Sequence, residues 1–116
     1  MTVNELLTRA DLTAAALPDG DREVTGVYIG DLLSWVMAHG QAGMAWITVQ
    51  THMNVIAVAS LMEMAAVIVP EGIEMEEASL EKAKEEGITV LASEKTAYEL
   101  CALMAEKGLP GSPREA

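Results

Sequence analysis

The chain has 116 residues, of which 51% are hydrophobic, and its formal net charge is −11. That size suits one domain with a core but not two domains. Seven basic residues against eighteen acidic ones argue against a nucleic-acid partner and against an anionic membrane surface, since both need a basic face. With a single cysteine, Cys101, and no recognisable signal peptide, we expect a cytoplasmic protein without an internal disulfide.

Apolar runs, glycines and capping residues predict short helices and strands along the whole chain. In chain order these are a helix over 2–10, strands over 13–17 and 22–29, a helix over 32–38, a strand over 45–49, a helix over 55–64, a strand over 66–69, a helix over 76–86, a strand over 88–91 and a helix over 94–107.

Polar residues at the starts of the predicted helices are expected to cap them. Thr2 and Glu5 stand at the spacing of a capping box, in which each side chain bonds the other residue's backbone amide. Asp31, Asn54 and Ser93 precede or begin later helices and are predicted to act as N-caps there.

After residue 21 the predicted strands and helices alternate. Short apolar strands that alternate with helices are typical of a largely parallel sheet covered on both faces. We therefore predict an α/β fold, a three-layer α/β/α sandwich with a mostly parallel central sheet. Residues 1–109 are expected to form one domain and residues 110–116 a flexible C-terminal tail.

Between Asp31 and Glu63 the chain contains no Asp, Glu, Lys or Arg. Helices that are apolar on every side are either enclosed by other elements or lie in an interface. Trp35 and Met37 belong to residue types that are enriched in interface cores, and two-fold dimers are the commonest soluble assembly. We therefore expect a homodimer whose interface includes Trp35 and Met37. The alternative is a monomer in which both middle helices cover the sheet.

Two stretches of the chain form a recognisable pattern. The first reads Asp-Arg-Glu-Val-Thr-Gly-Val at 21–27 and Tyr-Ile-Gly-Asp-Leu-Leu-Ser at 28–34, and the second reads Trp-Ile-Thr-Val-Gln-Thr-His at 46–52 and Asn-Val-Ile-Ala-Val-Ala-Ser-Leu at 54–61. In these stretches the chain resembles DRTGG domains, and it is similar to short stand-alone members of that family from about Val3 to Leu109. Val27 stands where the family's name-giving motif has its second glycine.

This resemblance implies an α/β sandwich like the N-terminal domain of HPr kinase/phosphorylase, and usually a dimer. In larger relatives such a domain is regulatory, for example beside the CBS domains of DHH-type pyrophosphatases. A kinase of the HPr type needs a phosphate-binding loop of the form G-x-x-x-x-G-K-[ST], and the sequence contains none. The resemblance therefore points to a regulatory module.

The strongest candidate site is the polar stretch that follows the strand over 45–49. Thr51, His52 and Asn54 come at the carboxyl end of that strand, where the start of the next helix attracts anions. Asp31 follows the preceding strand, and carboxyl ends of parallel strands share one edge of a sheet. These four residues are our hypothesis for a site that binds a small anionic metabolite or nucleotide. The alternative is that they only cap the helix and satisfy the turn.

The resulting hypothesis is a non-catalytic, homodimeric regulatory or adaptor domain that senses such a ligand and acts on an unidentified protein partner. Two alternatives stay open: a small enzyme acting on a phosphorylated or acyl substrate with His52 as acid/base, and a ligand-free scaffold that binds protein. No catalytic residue, cofactor or metal site is predicted. His39 and His52 are separated by a predicted strand, and Cys101 is expected to be a buried, unreactive thiol on an apolar helix face.

Overall fold

The computed structural model describes residues 1–111, so residues 112–116 of the predicted tail lie outside it. The helices are α1 (Val3–Arg9), α2 (Leu33–His39), α3 (Met53–Leu61), α4 (Glu77–Glu86) and α5 (Ala97–Glu106), and the strands are β1 (Thr13–Ala16), β2 (Gly26–Ile29), β3 (Met44–Ile47), β4 (Ala66–Val69) and β5 (Val90–Ala92). Each predicted element is present, and only its ends differ from the prediction.

The five strands form one sheet in the order β1-β5-β4-β3-β2. β1 runs antiparallel to β5, and the other three pairs are parallel. From β2 to β5 the order in the sheet follows the order in the chain. Right-handed crossovers that all advance in one direction place their helices on a single face, so α2, α3 and α4 share one side of the sheet.

The side chains of the strands alternate between two apolar clusters, one on each face. On one face Trp46 and Val67 pack with Val36 of α2, Ile56 of α3 and Ala83 of α4. On the other face the intervening strand residues pack with Val3 and Leu6 of α1 and with Leu100 and Met104 of α5. The predicted three-layer α/β/α sandwich is therefore confirmed.

The uncharged middle of the chain is interior in part. Trp46 on the central strand β3 and Ile56 on α3 are both fully buried. On α2 only Val36 is buried, whereas Trp35 is 58% and Met37 46% exposed. α3 lies between α2 and α4 and buries Val55, Ile56, Val58 and Ala59, while α2 lies at the flank of the layer and has a neighbouring helix on one side only.

Capping boxes begin the two helices on the α1/α5 face. At α1 the predicted pair of Thr2 and Glu5 is confirmed, with the Thr2 amide donating to the Glu5 carboxylate at 3.0 Å and the Glu5 amide donating to the Thr2 hydroxyl at 3.2 Å. At α5 the box is formed by Thr96 and Glu99. The predicted cap Ser93 is wrong, because its hydroxyl instead accepts a hydrogen bond from the Lys95 amide before the helix begins.

The other two predicted caps are also wrong. Leu32 is the N-cap of α2 and His52 the N-cap of α3, and neither side chain makes a capping hydrogen bond. Asn54 lies inside the first turn of α3. The Asp31 carboxylate accepts hydrogen bonds from the loop after β3 rather than from α2, so a tertiary contact replaces the local one.

The two edges of the sheet differ. At the β2 edge the amide of Val27 donates to the carbonyl of Pro110 at 2.8 Å, so the first residue of the predicted tail is attached to the sheet. Val27 is buried and its φ is negative, so a valine is accommodated there without strain. β1, at the other edge, is a short Thr-Ala-Ala-Ala strand whose first three residues are exposed.

The capping box of α5 makes a pH-dependent contribution to stability. Hydrogen bonds from the backbone amide and then the hydroxyl of Thr96 lower the pKa of Glu99 below its ordinary value of 4.5, because they favour the charged carboxylate. This stabilisation is present above pH 4.5 and is lost as the pH falls through the lowered pKa. We expect Glu99→Gln to be less stable than the parent at pH 7, and the two to converge in acid.

Urea midpoints measured from pH 7 to pH 3 test this expectation. Glu81→Gln, a change at an exposed residue within α4, is the matched control and should show no convergence of this kind. A stability difference for Glu99→Gln that stays constant with pH would contradict the assignment.

The buried indole of Trp46 joins β3 to the loop after β2. Its Nε1 donates to the Gly30 carbonyl at 2.8 Å. Trp46→Phe removes this donor, leaves the carbonyl unpaired and opens a void, so we expect a loss of about 2 kcal/mol or more in the free energy of unfolding. Tyr98→Phe, at an 80% exposed position, should change it by less than about 0.5 kcal/mol. Urea unfolding measures both, and equal effects would contradict this role of Trp46.

Candidate functional site

The Asp-Arg-Glu-Val-Thr-Gly segment stabilises the end of the sheet at which the parallel strands begin. The guanidinium of Arg22 donates through Nη2 to the carbonyl of Glu63 at 2.6 Å, just beyond the end of α3, and the Gly43 amide donates to the same carbonyl at 2.9 Å. The Thr25 hydroxyl donates to the Ala42 carbonyl at 3.3 Å. These contacts give the segment a structural role, at the edge opposite the carboxyl ends of the parallel strands.

Gly43 is needed in this arrangement. Its φ is +83°, and a Cβ added there would lie 2.6 Å from the Thr25 hydroxyl oxygen. Any side chain at position 43 therefore meets both an unfavourable backbone conformation and a direct clash.

At the opposite end of the sheet, where the parallel strands finish and which we call the carboxyl edge, Asp31 joins the loop after β2 to the loop after β3. Its Oδ1 accepts from the Thr48 hydroxyl at 2.8 Å and from the Val49 amide at 2.9 Å. The Gln50 side-chain amide donates to the Asp31 carbonyl at 3.2 Å. Thr48 is 1% exposed, so this contact is shielded from water on one side. The sequence marked Asp31 as important but did not reveal Thr48 and Gln50 as its partners, because the contact joins two separate loops.

The other three predicted site residues have different surroundings. Thr51 turns toward α4: its hydroxyl donates to the Glu76 carboxylate at 3.3 Å, and its carbonyl accepts from the Ser79 hydroxyl at 2.6 Å. His52 is half-buried at the start of α3, and Asn54 is exposed in the first turn of that helix. The structure thus joins Asp31 to the loop that carries the other three, while Thr51 faces away from Asp31 toward α4.

None of the four residues lines any of three cavities found in the described part of the molecule. Those cavities lie near β1 and β5 and along α5. Any ligand of Asp31, Thr51, His52 and Asn54 would therefore bind on the surface of the carboxyl edge. The proposed contact with an anion remains a hypothesis.

Large apolar side chains are exposed around this edge and along α2. They are Ile29, Leu32, Trp35, Met37, Val49 and Met53. The Trp35 ring stacks on the imidazole of His39 with 4.1 Å between centroids. Trp35 and Met37 stand two positions apart on a helix and so point to different sides. Leu32 is three residues before Trp35 and shares its side.

Within residues 1–111, no three His, Cys, Asp or Glu residues gather in a way that could hold a metal ion. No helix in this range is long and apolar enough to cross a membrane. Cys101 is half-buried rather than fully buried, and burial raises the pKa of its thiol, which keeps the thiol protonated and slow to react.

Asp31→Ala should destabilise the carboxyl edge. The change removes the acceptor of two hydrogen bonds and leaves the buried Thr48 hydroxyl without this partner, so we expect a loss of about 1 to 2 kcal/mol in the free energy of unfolding. Asp31→Asn keeps an Oδ1 acceptor and should lose less. Asp21→Ala is the control, since the Asp21 side chain makes no hydrogen bond within residues 1–111. Equal urea midpoints for Asp31→Ala and Asp21→Ala would exclude this role of Asp31.

No protein-family model matches the chain, and no curated protein matches it significantly. The fold does match a solved structure, the crystal structure of the CBS and DRTGG domains of the regulatory region of a Clostridium perfringens pyrophosphatase, complexed with the activator diadenosine tetraphosphate. The TM-score is 0.72 at 16% sequence identity, over 95% of this chain and 48% of that chain.

The chain therefore spans about half the length of that regulatory structure. An identity this low establishes a shared fold and carries no ligand across. At the level of the fold, the match supports the DRTGG-like domain that residues 21–61 indicated.

Proposed function

We propose that this chain is a non-catalytic regulatory or adaptor domain of the DRTGG kind, which forms a homodimer and senses a small anionic ligand such as a nucleotide. The observation that carries the proposal is the Asp31 contact, because it links two loops at the edge where apolar side chains are exposed. The shared fold with a regulatory region, crystallised with a nucleotide activator, supports the same class of function.

The carboxyl edge offers chemistry that suits a nucleotide. The amides at the start of α3 and the imidazole of His52 provide donors for phosphate oxygens. Oδ1 of Asp31 is engaged by Thr48 and Val49, and Oδ2 accepts no hydrogen bond from the described residues. A carboxylate oxygen in that position can accept from a ribose hydroxyl. Thr51 and Asn54 would add polar contacts on either side of His52.

A ligand at this edge can affect a dimer through Leu32. This residue directly follows Asp31 and is the N-cap of α2, so a shift of the Asp31 loop is transmitted to the start of the helix that carries Trp35. The proposed mechanism is a population shift: the ligand favours one arrangement of the two loops and with it one dimer geometry.

The dimer is proposed to form around Trp35 and to include Met37. At a net charge of −11 two copies repel each other. The segment from Leu32 to Met62 carries no Asp, Glu, Lys or Arg, so a face built from it can approach its own copy without placing like charges together. Trp35 and Leu32 on one side of α2 supply an apolar contact of the type found at interface centres.

A thermal-shift titration tests ligand sensing. ATP, diadenosine tetraphosphate and inorganic phosphate are added to the full chain, and a ligand at 100 times its Kd should stabilise by about 2.7 kcal/mol, a rise of several degrees in Tm. His52→Ala and Asp31→Asn should reduce the rise, whereas Glu81→Gln should not. No rise with any of these compounds would favour the ligand-free scaffold. Loss of turnover in His52→Ala, with a phosphorylated or acyl substrate, would favour the enzymatic alternative.

Sedimentation velocity tests the interface. We expect the parent to sediment as a dimer and Trp35→Glu as a monomer, because the new carboxylate would be buried beside its own copy. Tyr98→Glu is the control, at an 80% exposed position on α5. A monomeric parent, or a dimer that survives Trp35→Glu, would contradict the proposed interface.

A further inference from the structure

Two adjoining cavities lie at the β1 end of the sheet, away from β2 and β3. Their volumes are about 320 Å³ and about 270 Å³, and they share the lining residues Ile73, Glu74 and Ala92. We refer to them together as the β1 cleft. We propose that the β1 cleft binds a small organic cation with an apolar body, such as an alkyl or aryl amine.

One cavity of the β1 cleft is mostly apolar, and we call it the apolar cavity. It is formed between α4, β1 and the loop after β4, and its walls include Ala15, Val69, Met75, Leu80 and Val90. A concave, mostly apolar space of this size with a few polar groups at its mouth is the usual form of a small-molecule site. Burial there would stabilise the apolar body of a ligand.

Acidic residues of the other cavity, which we call the acidic cavity, favour a positively charged ligand. This cavity is lined by Asp11, Glu74 and Glu94 and by the hydroxyl-bearing residues Thr13 and Ser93. Within residues 1–111, none of these three carboxylates forms an ion pair or a hydrogen bond. Neither cavity is lined by a Lys or Arg from this part of the chain. An ammonium group in the acidic cavity would be attracted by the carboxylates, whereas an anion would be repelled.

The wall that carries Glu94 is held in place by the backbone. The Glu71 amide donates to the Lys95 carbonyl at 2.8 Å, and the Gly72 amide donates to the Ser93 carbonyl at 2.9 Å. Gly72 has φ +70°, and a Cβ there would lie 2.7 Å from a carboxylate oxygen of Glu94. The backbone of this wall is therefore fixed before a ligand arrives, which lowers the cost of binding.

The β1 cleft is separate from the proposed nucleotide site. Asp31, Thr51, His52 and Asn54 follow β2 and β3, whereas the β1 cleft is built from β1, β4, β5 and the segments next to them. The two sites also have opposite charge preferences. Failure of one proposal therefore leaves the other standing.

Three six-carbon probes test the proposal: hexylamine, hexan-1-ol and hexanoate, titrated into the full chain and followed by backbone amide chemical shifts. We expect hexylamine to shift the amides of residues 72–75 and 90–94 and to bind at least tenfold more tightly than hexan-1-ol. Hexanoate should bind more weakly than either. Higher salt should weaken hexylamine more than hexan-1-ol.

Single substitutions test which residues of the β1 cleft contact the probes. Glu74→Gln and Glu94→Gln should each weaken hexylamine severalfold and leave hexan-1-ol unchanged. Ala15→Leu should weaken the binding of both probes by filling the apolar cavity, and Glu81→Gln on α4 should affect neither. Equal affinity for hexylamine and hexan-1-ol, no effect of either Glu→Gln change, or shifts outside the cleft would overturn the proposal.

Discussion

The order of the parallel strands in the sheet determines where the helices of this molecule lie. Because β2, β3, β4 and β5 stand side by side in chain order, the three crossover helices lie in a row on one face of the sheet. The middle helix of the row has a neighbouring helix on each side, and each outer helix has only one. This arrangement explains why α3 buries Val55, Ile56, Val58 and Ala59, whereas α2 buries only Val36 and leaves Trp35 exposed.

The same strand order also relates to where cavities form in this molecule. In an open α/β sheet a crevice forms where the strand order reverses, since neighbouring crossovers then separate to opposite faces. Between β2 and β5 no reversal occurs, so the loops after β2 and β3 stay together and bond each other through Asp31. The regular pattern is broken at β1, which is antiparallel and is preceded by a helix on the opposite face. The two cavities of the β1 cleft are found beside that strand.

Sequence patterns predicted the elements and layers of this fold because both follow from local periodicity and from the alternation of strand and helix. They failed at Asp31 and Ser93, whose side chains bond a neighbouring loop or turn, and at Asn54, because α3 begins at Met53 and its N-cap is His52. Trp35 and Trp46 show the limit most clearly: they belong to the same uncharged stretch, yet one is 58% exposed and the other is fully buried. The difference arises because Trp46 lies on β3, inside the sheet, whereas Trp35 lies on α2, at the flank of the helix layer. The β1 cleft was likewise invisible, since Asp11, Glu74 and Glu94 are brought together only by the pairing of β1 with β5.

Pro110 has a consequence for how the β2 edge can pair with other molecules. Its carbonyl satisfies an amide on the outer side of β2, and its ring nitrogen has no hydrogen to offer to a further strand. The hydrogen bonding at the outer side of β2 therefore ends at a residue that has no amide to donate to another strand. A polypeptide shortened before Leu109 would leave the Gly-Val-Tyr-Ile strand bare, and uncharged edges of that kind recruit strands from other molecules. We expect such a truncation to favour aggregation through pairing of the exposed β2 edge with strands of other molecules.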